Sequence, residues 1–248
     1  MYSYIARQPI FDREMRTIAY ELLFRDGMNN AFPDVSPEYA TSRVISDQFL
    51  CIPVPRIACS HSAYINVPHQ MLISGLGDAL PHENVVIEIL ENAIPDERLF
   101  DAVKDLHNKG YQLALDDFTM KDSWDRFLRY ISVIKFDIRG NSYQDILHYI
   151  NVKQDWLKAT EFLAEKVETK EEFDLYRSAG FSFFQGYFFS RPEIMKNKCL
   201  PQNTLSLCRL MMEVNREAPD FSAIESLLKT DLTLSYKIMR YEIGRAHV

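Results

Sequence analysis

The chain has 248 residues, of which 47% are hydrophobic and 25% charged, with a formal net charge of −7 at pH 7. This composition is typical of a globular protein with a full core and argues against disorder, and the length suits one β/α barrel of roughly 250 residues. The negative charge argues against a DNA or RNA polymer as the main partner, because binding to phosphates depends on a positive field.

The cysteines and the N-terminus exclude further classes of protein. The four cysteines form no CxxC pair, so we interpret them as reduced packing residues rather than zinc ligands. They are Cys51, Cys59, Cys199 and Cys208. Residues 1–14 contain charges and no apolar run of the length that an export signal or a membrane span needs. We therefore expect a cytoplasmic protein with no membrane partner.

Up to about residue 192, short apolar runs alternate with longer amphipathic stretches, which is typical of βα units around a parallel sheet. The predicted strands are Ile18–Phe24, Ser62–Val67, Val85–Leu90, Tyr111–Leu115, Val133–Ile138, Glu161–Val167 and Phe181–Phe189. Helices are predicted between them, clearest at Asp96–Lys109, which has acids in its first turn and is followed by Gly110. A second is predicted at Ser123–Tyr130.

From Ile194 onward the sequence predicts that strands stop and helices follow. The helical patterns lie at Gln202–Arg216 and Phe221–Tyr241. Ser222 and Glu225 have the spacing of a capping box at the start of the second helix.

These changes predict how the chain divides into domains. Residues 1–196 are predicted to form the barrel, and residues 197–242 to begin a helical domain that is too short to enclose its own core. Residues 243–248 (IGRAHV) break the apolar spacing of the preceding helix. We predict that this tail is not native and that the helical domain is truncated.

Acids and amides lie within or at the ends of the apolar strand runs, where an ionised group is costly unless it is paired or binds metal. They are Glu21, Asn66, Glu88, Glu91, Asp116, Asp117, Asp137, Glu165, Glu168 and Gln185, together with Lys135. The C-terminal strand ends of a parallel barrel face one mouth, so we expect these side chains to converge there. Their oxygens suit Mg²⁺ or Mn²⁺ rather than zinc or copper.

A carboxylate-rich mouth with two divalent ions favours hydrolysis of a phosphodiester, because such a pair stabilises both the attacking and the leaving oxygen. Lys135 is expected to offset developing negative charge, and Arg25 to form a fork of hydrogen bonds to a phosphate. Other roles stay open for two of the acids. Asp137 equally suits a salt bridge to an arginine, and Glu165 equally suits orienting its neighbours.

Up to about residue 190, these acids, amides and Lys135, in their order along the chain, resemble the motifs of the EAL-domain family of cyclic-di-GMP phosphodiesterases. Glu21–Arg25 (ELLFR) is similar to the EALLR that names the family, and the Asp pair, VET at Val167–Thr169 and QGY at Gln185–Tyr187 follow in the expected order. The resemblance implies an α/β fold, a (β/α)8 TIM-like barrel of EAL type followed by a short all-α fragment. It also implies metal-dependent hydrolysis of cyclic-di-GMP to the linear dinucleotide.

The resemblance further implies roles for individual residues and a cofactor of two Mg²⁺ or Mn²⁺ ions. The implied metal ligands are Glu21, Asn66, Glu88, Asp116, Asp117, Glu168 and Gln185. The implied catalytic residues are Lys135, Asp117 and Glu168. The implied substrate contacts are Gln8, Leu23 and Arg25, and Glu91 is implied to anchor the loop after the Asp pair.

Four segments resemble a subgroup of the family in which an HDOD domain follows the EAL domain. They are ARQPIFDR, YELLFR, AEKVET and FFQGYFFSRP. Phe221–Tyr241 is similar to the opening helices of an HDOD module, a helical signalling and protein-interaction domain. This implies a protein partner for the HDOD region and leaves a homodimer open.

The sequence departs from the family at three places near the mouth. The loop after the Asp pair reads DFTMKDSW where active members carry DFGTG, and Thr119, Met120 and Lys121 resist the backbone angles that glycine permits. We therefore expect this loop to be held differently. Lys166 replaces the glycine of AEGVE, and Leu90 replaces the threonine of ELTE.

These departures keep two other functions open. One is a catalytically inactive receptor or scaffold, whose barrel binds cyclic-di-GMP or nothing while the HDOD helices pass its state to a protein partner. The other is an unrelated metal-dependent barrel enzyme that acts on another phosphate or carboxylate with the same acids, a hypothesis that leaves their order along the sequence out of account.

Overall fold

The structure is a computed structural model that describes most of the barrel region of the chain. The described residues are 2–25, 61–75, 83–190, 192–198 and 220–230, with Ala58, Leu80, Leu210, Glu213 and Ser235. Apart from Leu210 and Glu213, the predicted helix Gln202–Arg216 lies outside them, as do the four cysteines and residues 243–248. In the described ranges, no helix combines the length and hydropathy that crossing a lipid bilayer requires.

Nine strands of the described residues form one sheet, and the first eight close into a barrel. They are β1 (Tyr2–Phe11), β2 (Thr17–Arg25), β3 (Ser62–Val67), β4 (Val85–Ile89), β5 (Gln112–Leu115), β6 (Val133–Asp137), β7 (Glu161–Glu165), β8 (Phe183–Phe184) and β9 (Glu193–Lys198). Strands β2 to β8 are parallel. Strand β1 closes the barrel by pairing antiparallel with both β2 and β8. The predicted TIM-like barrel is therefore confirmed, with one reversed strand.

Helices cover the outside of the barrel where the chain crosses between parallel strands. They are α1 (His69–Ile73), α2 (Glu97–Asn108), a 3₁₀ helix (Asp122–Tyr130), α3 (Tyr143–Val152) and α4 (Lys170–Ser178), while α5 (Phe221–Thr230) lies beyond β9 in the chain. Side chains cap the helix starts as the sequence favours: Asp96 accepts a hydrogen bond from the backbone of Leu99, and Thr169 and Glu172 form a capping box.

Alternation of side chains along the strands separates an outer core from an inner one. The outer apolar faces pack with the helices in a large cluster that includes Ile87, Leu113 and Phe136. The inner faces form a layer with one residue from each of seven strands. That layer consists of Ile10, Ala19, Tyr64, Val86, Ala114, Val133 and Leu163.

Two sequence predictions about strands are wrong. Phe181–Phe189 is not one long strand, because only Phe183–Phe184 pairs and the chain turns at Gly186. Strands also do not stop at Ile194, because β9 pairs along β1 from Glu193 to Lys198. Its sequence, EIMKNK, is largely polar, and β9 is the last strand at one edge of the sheet. β9 runs past residue 196, the predicted end of the barrel domain, and the division into domains stays a prediction.

The start of α5 also differs from the sequence prediction. Asp220 Oδ1 accepts hydrogen bonds from the backbone N–H groups of Ser222 and Ala223, at 2.9 and 3.2 Å. Asp220 therefore caps this helix, because an Asp immediately before the first turn satisfies its free N–H groups. Ser222, the predicted cap, lies within the first turn.

Candidate functional site

Polar side chains form the next inward-facing layer of the barrel, two residues beyond the apolar layer along each strand. Ala19 is followed in this way by Glu21, and Val86 by Glu88. Because inward positions recur every second residue, the same step reaches a polar residue on the neighbouring strands. The polar layer consists of Glu21, Asn66, Glu88, Asp116, Lys135, Glu165 and Gln185. The structure thus brings these sequence-predicted residues together at the C-terminal ends of the parallel strands.

Lys135 lies at the centre of this layer, and its side chain is fully buried. Its Nζ atom is within 4 Å of a carboxylate oxygen from each of four other strand ends. The distances are 2.6 Å to Glu88 Oε1, 2.6 Å to Asp116 Oδ1, 3.0 Å to Glu165 Oε1 and 3.5 Å to Glu21 Oε2. One ammonium group therefore faces four acids, which leaves an excess of negative charge when all are ionised.

Burial and mutual repulsion change the acidity of this cluster. Burial raises the pKa of Glu88 well above its usual value, against the opposing attraction of Lys135. Burial likewise raises the pKa of Glu165 to about 8. Burial alone lowers the pKa of Lys135, but Asp116 and the other carboxylates outweigh it and hold that pKa well above the ordinary value. Lys135 is therefore a permanent cation in this layer.

Glu21 is held from two further sides by amides. Gln185 Nε2 donates to Glu21 Oε2 at 2.7 Å, and Asn66 Nδ2 donates to Glu21 Oε1 at 3.3 Å. Both amide groups thereby direct their N–H groups at the acid. These contacts fix the orientation of the Glu21 carboxylate at the first of the parallel strands.

A cavity of about 200 Å³ opens above the polar layer. It is lined by Gln8, Glu21, Leu23, Asp116, Asp117, Glu165, Lys166 and Gln185. Gln8 and Leu23, which the sequence comparison implies as substrate contacts, are thus both in its wall. The cavity exposes the outer edge of the acidic layer to any ligand that enters the mouth.

A second group of charges lies at the rim. Lys166 Nζ is 2.6 Å from Asp137 Oδ2 and 3.5 Å from Asp117 Oδ1. Among the described residues, the ion-pair partner of Asp137 is therefore a lysine, where the sequence left a salt bridge to an arginine open. Burial alone raises the pKa of Asp137. The hydrogen bond from Lys166 and those from the backbone N–H groups of Arg139 and Gly140 outweigh burial, so that this pKa lies below its usual value.

Known proteins resemble this chain in sequence and in fold. Cyclic di-GMP phosphodiesterase CdgJ from Vibrio cholerae is 43% identical over 241 residues, which are 96% of this chain and 56% of CdgJ. Uncharacterized protein YuxH from Bacillus subtilis is 31% identical over 246 residues, 97% of this chain and 60% of YuxH. The crystal structure of the Bacillus subtilis YkuI protein, with an EAL domain, in complex with cyclic-di-GMP and calcium, aligns with TM-score 0.60 at 17% identity, over 92% of this chain and 71% of YkuI.

The chain has the EAL-domain fold. No protein-family model matches it. Its likeness to the YkuI structure shows this fold. The chain spans little more than half the length of the curated relatives it matches.

Two of the residues implied by the EAL resemblance, Glu168 and Glu91, lie apart from the cluster. Glu168 is exposed, and its carboxylate lies 3.4 Å from the guanidinium of Arg139. Glu91 is exposed too, and it borders a small crevice with Phe118 and Thr119. In the described part of the chain its carboxylate makes no hydrogen bond to that loop. The side chain of Arg25 lies outside the described residues.

The loop after the Asp pair adopts the backbone angles that its sequence disfavours. Asp117 has φ +40° and Met120 has φ +56°, both in the left-handed region. The buried Phe118 holds the loop between them through ring contacts with Phe136 and Tyr149. The loop thus turns without a glycine, at a conformational cost that packing offsets.

The side chains of the polar layer fit divalent metal in their chemistry. Their ligating atoms are oxygens, and negative charge exceeds positive charge in the layer. Within the described ranges, Glu88 Oε2, Glu165 Oε2 and Gln185 Oε1 are buried and accept no hydrogen bond. Among those same residues, no three His, Cys, Asp or Glu side chains are already arranged around a common point as metal ligands. The carboxylates converge on the Lys135 ammonium instead.

Two residues without an assigned catalytic or metal-binding role belong to the site. Glu165, which the sequence placed among the converging acids with a role in orienting its neighbours left open, is buried in the polar layer beside Lys135. Its position two residues after the buried Leu163 is the signal that marks it. Lys166, noted in the sequence as a replacement for glycine, pairs with two acids at the rim. Side-chain direction at a residue with φ +60° follows no strand or helix period, so sequence spacing did not reveal that contact.

Proposed function

We propose that this EAL barrel hydrolyses cyclic-di-GMP to the linear dinucleotide with Mg²⁺ or Mn²⁺ as cofactor. The observation that carries the proposal is the convergence of four strand-end carboxylates on Lys135 beneath an open cavity. CdgJ is named a cyclic-di-GMP phosphodiesterase, which supports the choice of substrate. The YkuI complex contains cyclic-di-GMP and calcium, which supports both the substrate and a divalent ion.

The proposed ligands divide between the buried layer and the rim. Glu21, Asn66, Glu88 and Asp116 would hold one ion and Asp117 a second, while Glu168 and Gln185 would complete the shell of metal and water. When bound, such ions lower the pKa of water and stabilise negative charge on phosphodiester oxygens. Glu168 reaches this position only by leaving Arg139, which its exposed ion pair permits at little cost.

The chain's own residues orient the reaction. Lys135 holds the carboxylates together and offsets negative charge near the attacked phosphate. Gln8 and Leu23 contact the dinucleotide from the cavity wall, Arg25 contacts a phosphate, and Glu91 anchors the loop after the Asp pair. Hydrolysis adds water across one P–O bond of the ring, which leaves a phosphate monoester on one nucleotide and a hydroxyl on the other.

The proposal is tested by incubating the purified full chain with cyclic-di-GMP and either Mg²⁺ or Mn²⁺, and separating the products by liquid chromatography. We expect the linear dinucleotide, and its loss with chelator and in Glu21→Ala. Glu171→Ala is the matched control, because Glu171 is an exposed acid in the first turn of α4 and does not line the cavity. Absence of product at micromolar enzyme would refute the enzymatic proposal.

The rim favours a second candidate, a receptor that binds cyclic-di-GMP without turnover or a scaffold that binds only protein. The observations behind it are the contact between Lys166 and Asp117 and the pairing of Glu168 with Arg139, which engage two proposed catalytic residues elsewhere. Calorimetry separates these functions. A receptor gives heat of binding with the ligand recovered intact, and a scaffold gives no heat.

We also propose that residues 197–242 begin an HDOD domain that binds a protein partner, with residues 1–196 as the EAL domain and 243–248 as a non-native tail. The similarity of Phe221–Tyr241 to HDOD opening helices supports this, and its first part is helical from Phe221 to Thr230. We propose in addition that the protein is cytoplasmic and that it forms a homodimer. Pull-down with the full chain and size-exclusion chromatography with light scattering test the partner and the dimer.

A further inference from the structure

Lys166 occupies an unusual place for a lysine. It follows the buried Glu165 at the end of β7, and its backbone has φ +60°. Its ammonium lies between Asp137 and Asp117, at 2.6 and 3.5 Å from their nearest carboxylate oxygens. The side chain is half exposed and lines the cavity over the acidic layer.

The backbone on both sides of the Lys166–Asp117 contact is in the left-handed region, with φ +60° and φ +40°. L-residues adopt this region at a cost, because the Cβ atom approaches the backbone carbonyl oxygen. Such angles persist where the surroundings fix them, and they are frequent at functional sites. By contrast, Lys158 pairs with Asp155 on the surface, with both side chains at least 75% exposed. Lys166 is therefore held at the rim by its local fold.

The position of its ammonium has a direct consequence for cations. Among the described residues, Lys166 supplies the cation within ion-pair distance of Asp117. A divalent ion that takes Asp117 as a ligand must displace this ammonium or share the carboxylate with it. Two positive charges within a few ångströms repel each other, so each weakens the binding of the other.

We propose that Lys166 is a tethered cation that competes with a divalent ion for Asp117. The buried layer then binds one divalent ion tightly, while an ion at Asp117 binds weakly. This inference rests on the proposed metal-dependent function and deepens it, because it assigns control of the second ion to one side chain. It makes Lys166 a positioning residue for Asp117.

The test counts bound ions on the full chain, with Mn²⁺ alone as the probe and free Mn²⁺ measured by electron paramagnetic resonance. In the unsubstituted chain we expect a second site about tenfold weaker than the first, the effect of one partly solvated charge. Lys166→Gly and Lys166→Asn remove the charge and suit the left-handed backbone, so they should tighten the second site about tenfold. Lys166→Arg and the surface control Lys158→Ala should leave the isotherm unchanged.

The outcomes separate this inference from the proposed function. Two Mn²⁺ sites of equal affinity before substitution, or a second site unaffected by both Lys166→Gly and Lys166→Asn, would overturn the role of Lys166 alone. Hydrolysis of cyclic-di-GMP would be retained in that case. If no form of the chain binds Mn²⁺, the metal-dependent function fails and the inference fails with it.

Discussion

The ammonium of Lys135 and the carboxylate of Glu88 lie 2.6 Å apart with both side chains fully buried in the barrel. Removing the ammonium leaves four carboxylates facing one another without a cation, whereas removing the Glu88 charge leaves Lys135 with three acidic partners. We predict that Lys135→Met lowers the free energy of unfolding by about 3–5 kcal/mol. Urea denaturation in the presence of chelator measures this change.

The matched variant is Glu88→Gln, which keeps the shape of the side chain. Burial raises the pKa of Glu88, so the neutral amide resembles the protonated acid. We predict a change below about 1 kcal/mol, because Lys135 keeps three other acidic partners and the amide replaces the acid without change of shape. Lys104→Met, at an exposed position on α2, is the surface control. A larger loss in Glu88→Gln than in Lys135→Met would contradict the central role of the ammonium.

Divalent ions should stabilise the folded barrel, because the acids of the polar layer converge on one place only in the folded chain. At a concentration of Mn²⁺ about 100 times its Kd, the free energy of unfolding should rise by about 2.7 kcal/mol. Thermal denaturation with and without Mn²⁺ measures the gain. It should disappear in Asp116→Asn and persist in Glu171→Gln. An equal gain in Asp116→Asn would place the ion elsewhere.

The barrel was largely predictable because its central strands are continuous apolar runs. Val85–Ile89 is buried at all five positions, and the strands at Ser62–Val67 and Val133–Asp137 match their predictions to within one residue. The acids at the ends of these runs were recognisable for the same reason. An ionised group beside a buried run needs a partner, and the closed sheet brings several to one mouth.

Features that depend on tertiary contacts were not predictable in this way. Strand β1 contains Pro9 and pairs antiparallel both with β2, which follows it in the chain, and with the distant β8. β9 is too polar to be recognised as a strand and is formed by its pairing with β1. Whether Glu168 faces the cavity or Arg139 is a choice between side-chain partners. Spacing along the sequence contains no information on that choice.

The turn between β1 and β2 stores conformational strain at an exposed position. Met15 has φ +59° and is 47% exposed, while Asp12 Oδ1 accepts hydrogen bonds from the backbone N–H groups of Glu14 and Arg16, both at 2.9 Å. Glycine relieves the left-handed strain without loss of packing, so Met15→Gly should raise the free energy of unfolding by about 0.5–1 kcal/mol. Urea denaturation measures it. Arg13→Gly in the same turn should be destabilising, and a loss of stability in Met15→Gly would exclude strain relief.

Gly186 approaches the backbone of Val167 so closely that no other residue fits. A Cβ atom at Gly186, which has φ +155°, would lie 2.1 Å from the carbonyl oxygen of Val167. This close approach holds Gln185, whose backbone carbonyl accepts a hydrogen bond from Val167 N–H at 3.0 Å and whose side chain binds Glu21. We predict that Gly186→Ala lowers the free energy of unfolding by about 3 kcal/mol or more, because the backbone of Val167 must shift.

The matched control for Gly186→Ala is Gly180→Ala. Gly180 also has a left-handed φ, +96°, but a Cβ atom there meets nothing within 4 Å, so this change isolates backbone strain from steric overlap. Its cost should be about 1–2 kcal/mol. Because Gly186→Ala also displaces Gln185 from Glu21, it should weaken Mn²⁺ binding in the titration, which Gly180→Ala should not do. Equal losses of stability in the two variants would contradict this prediction, because the overlap with the Val167 backbone would then add no cost.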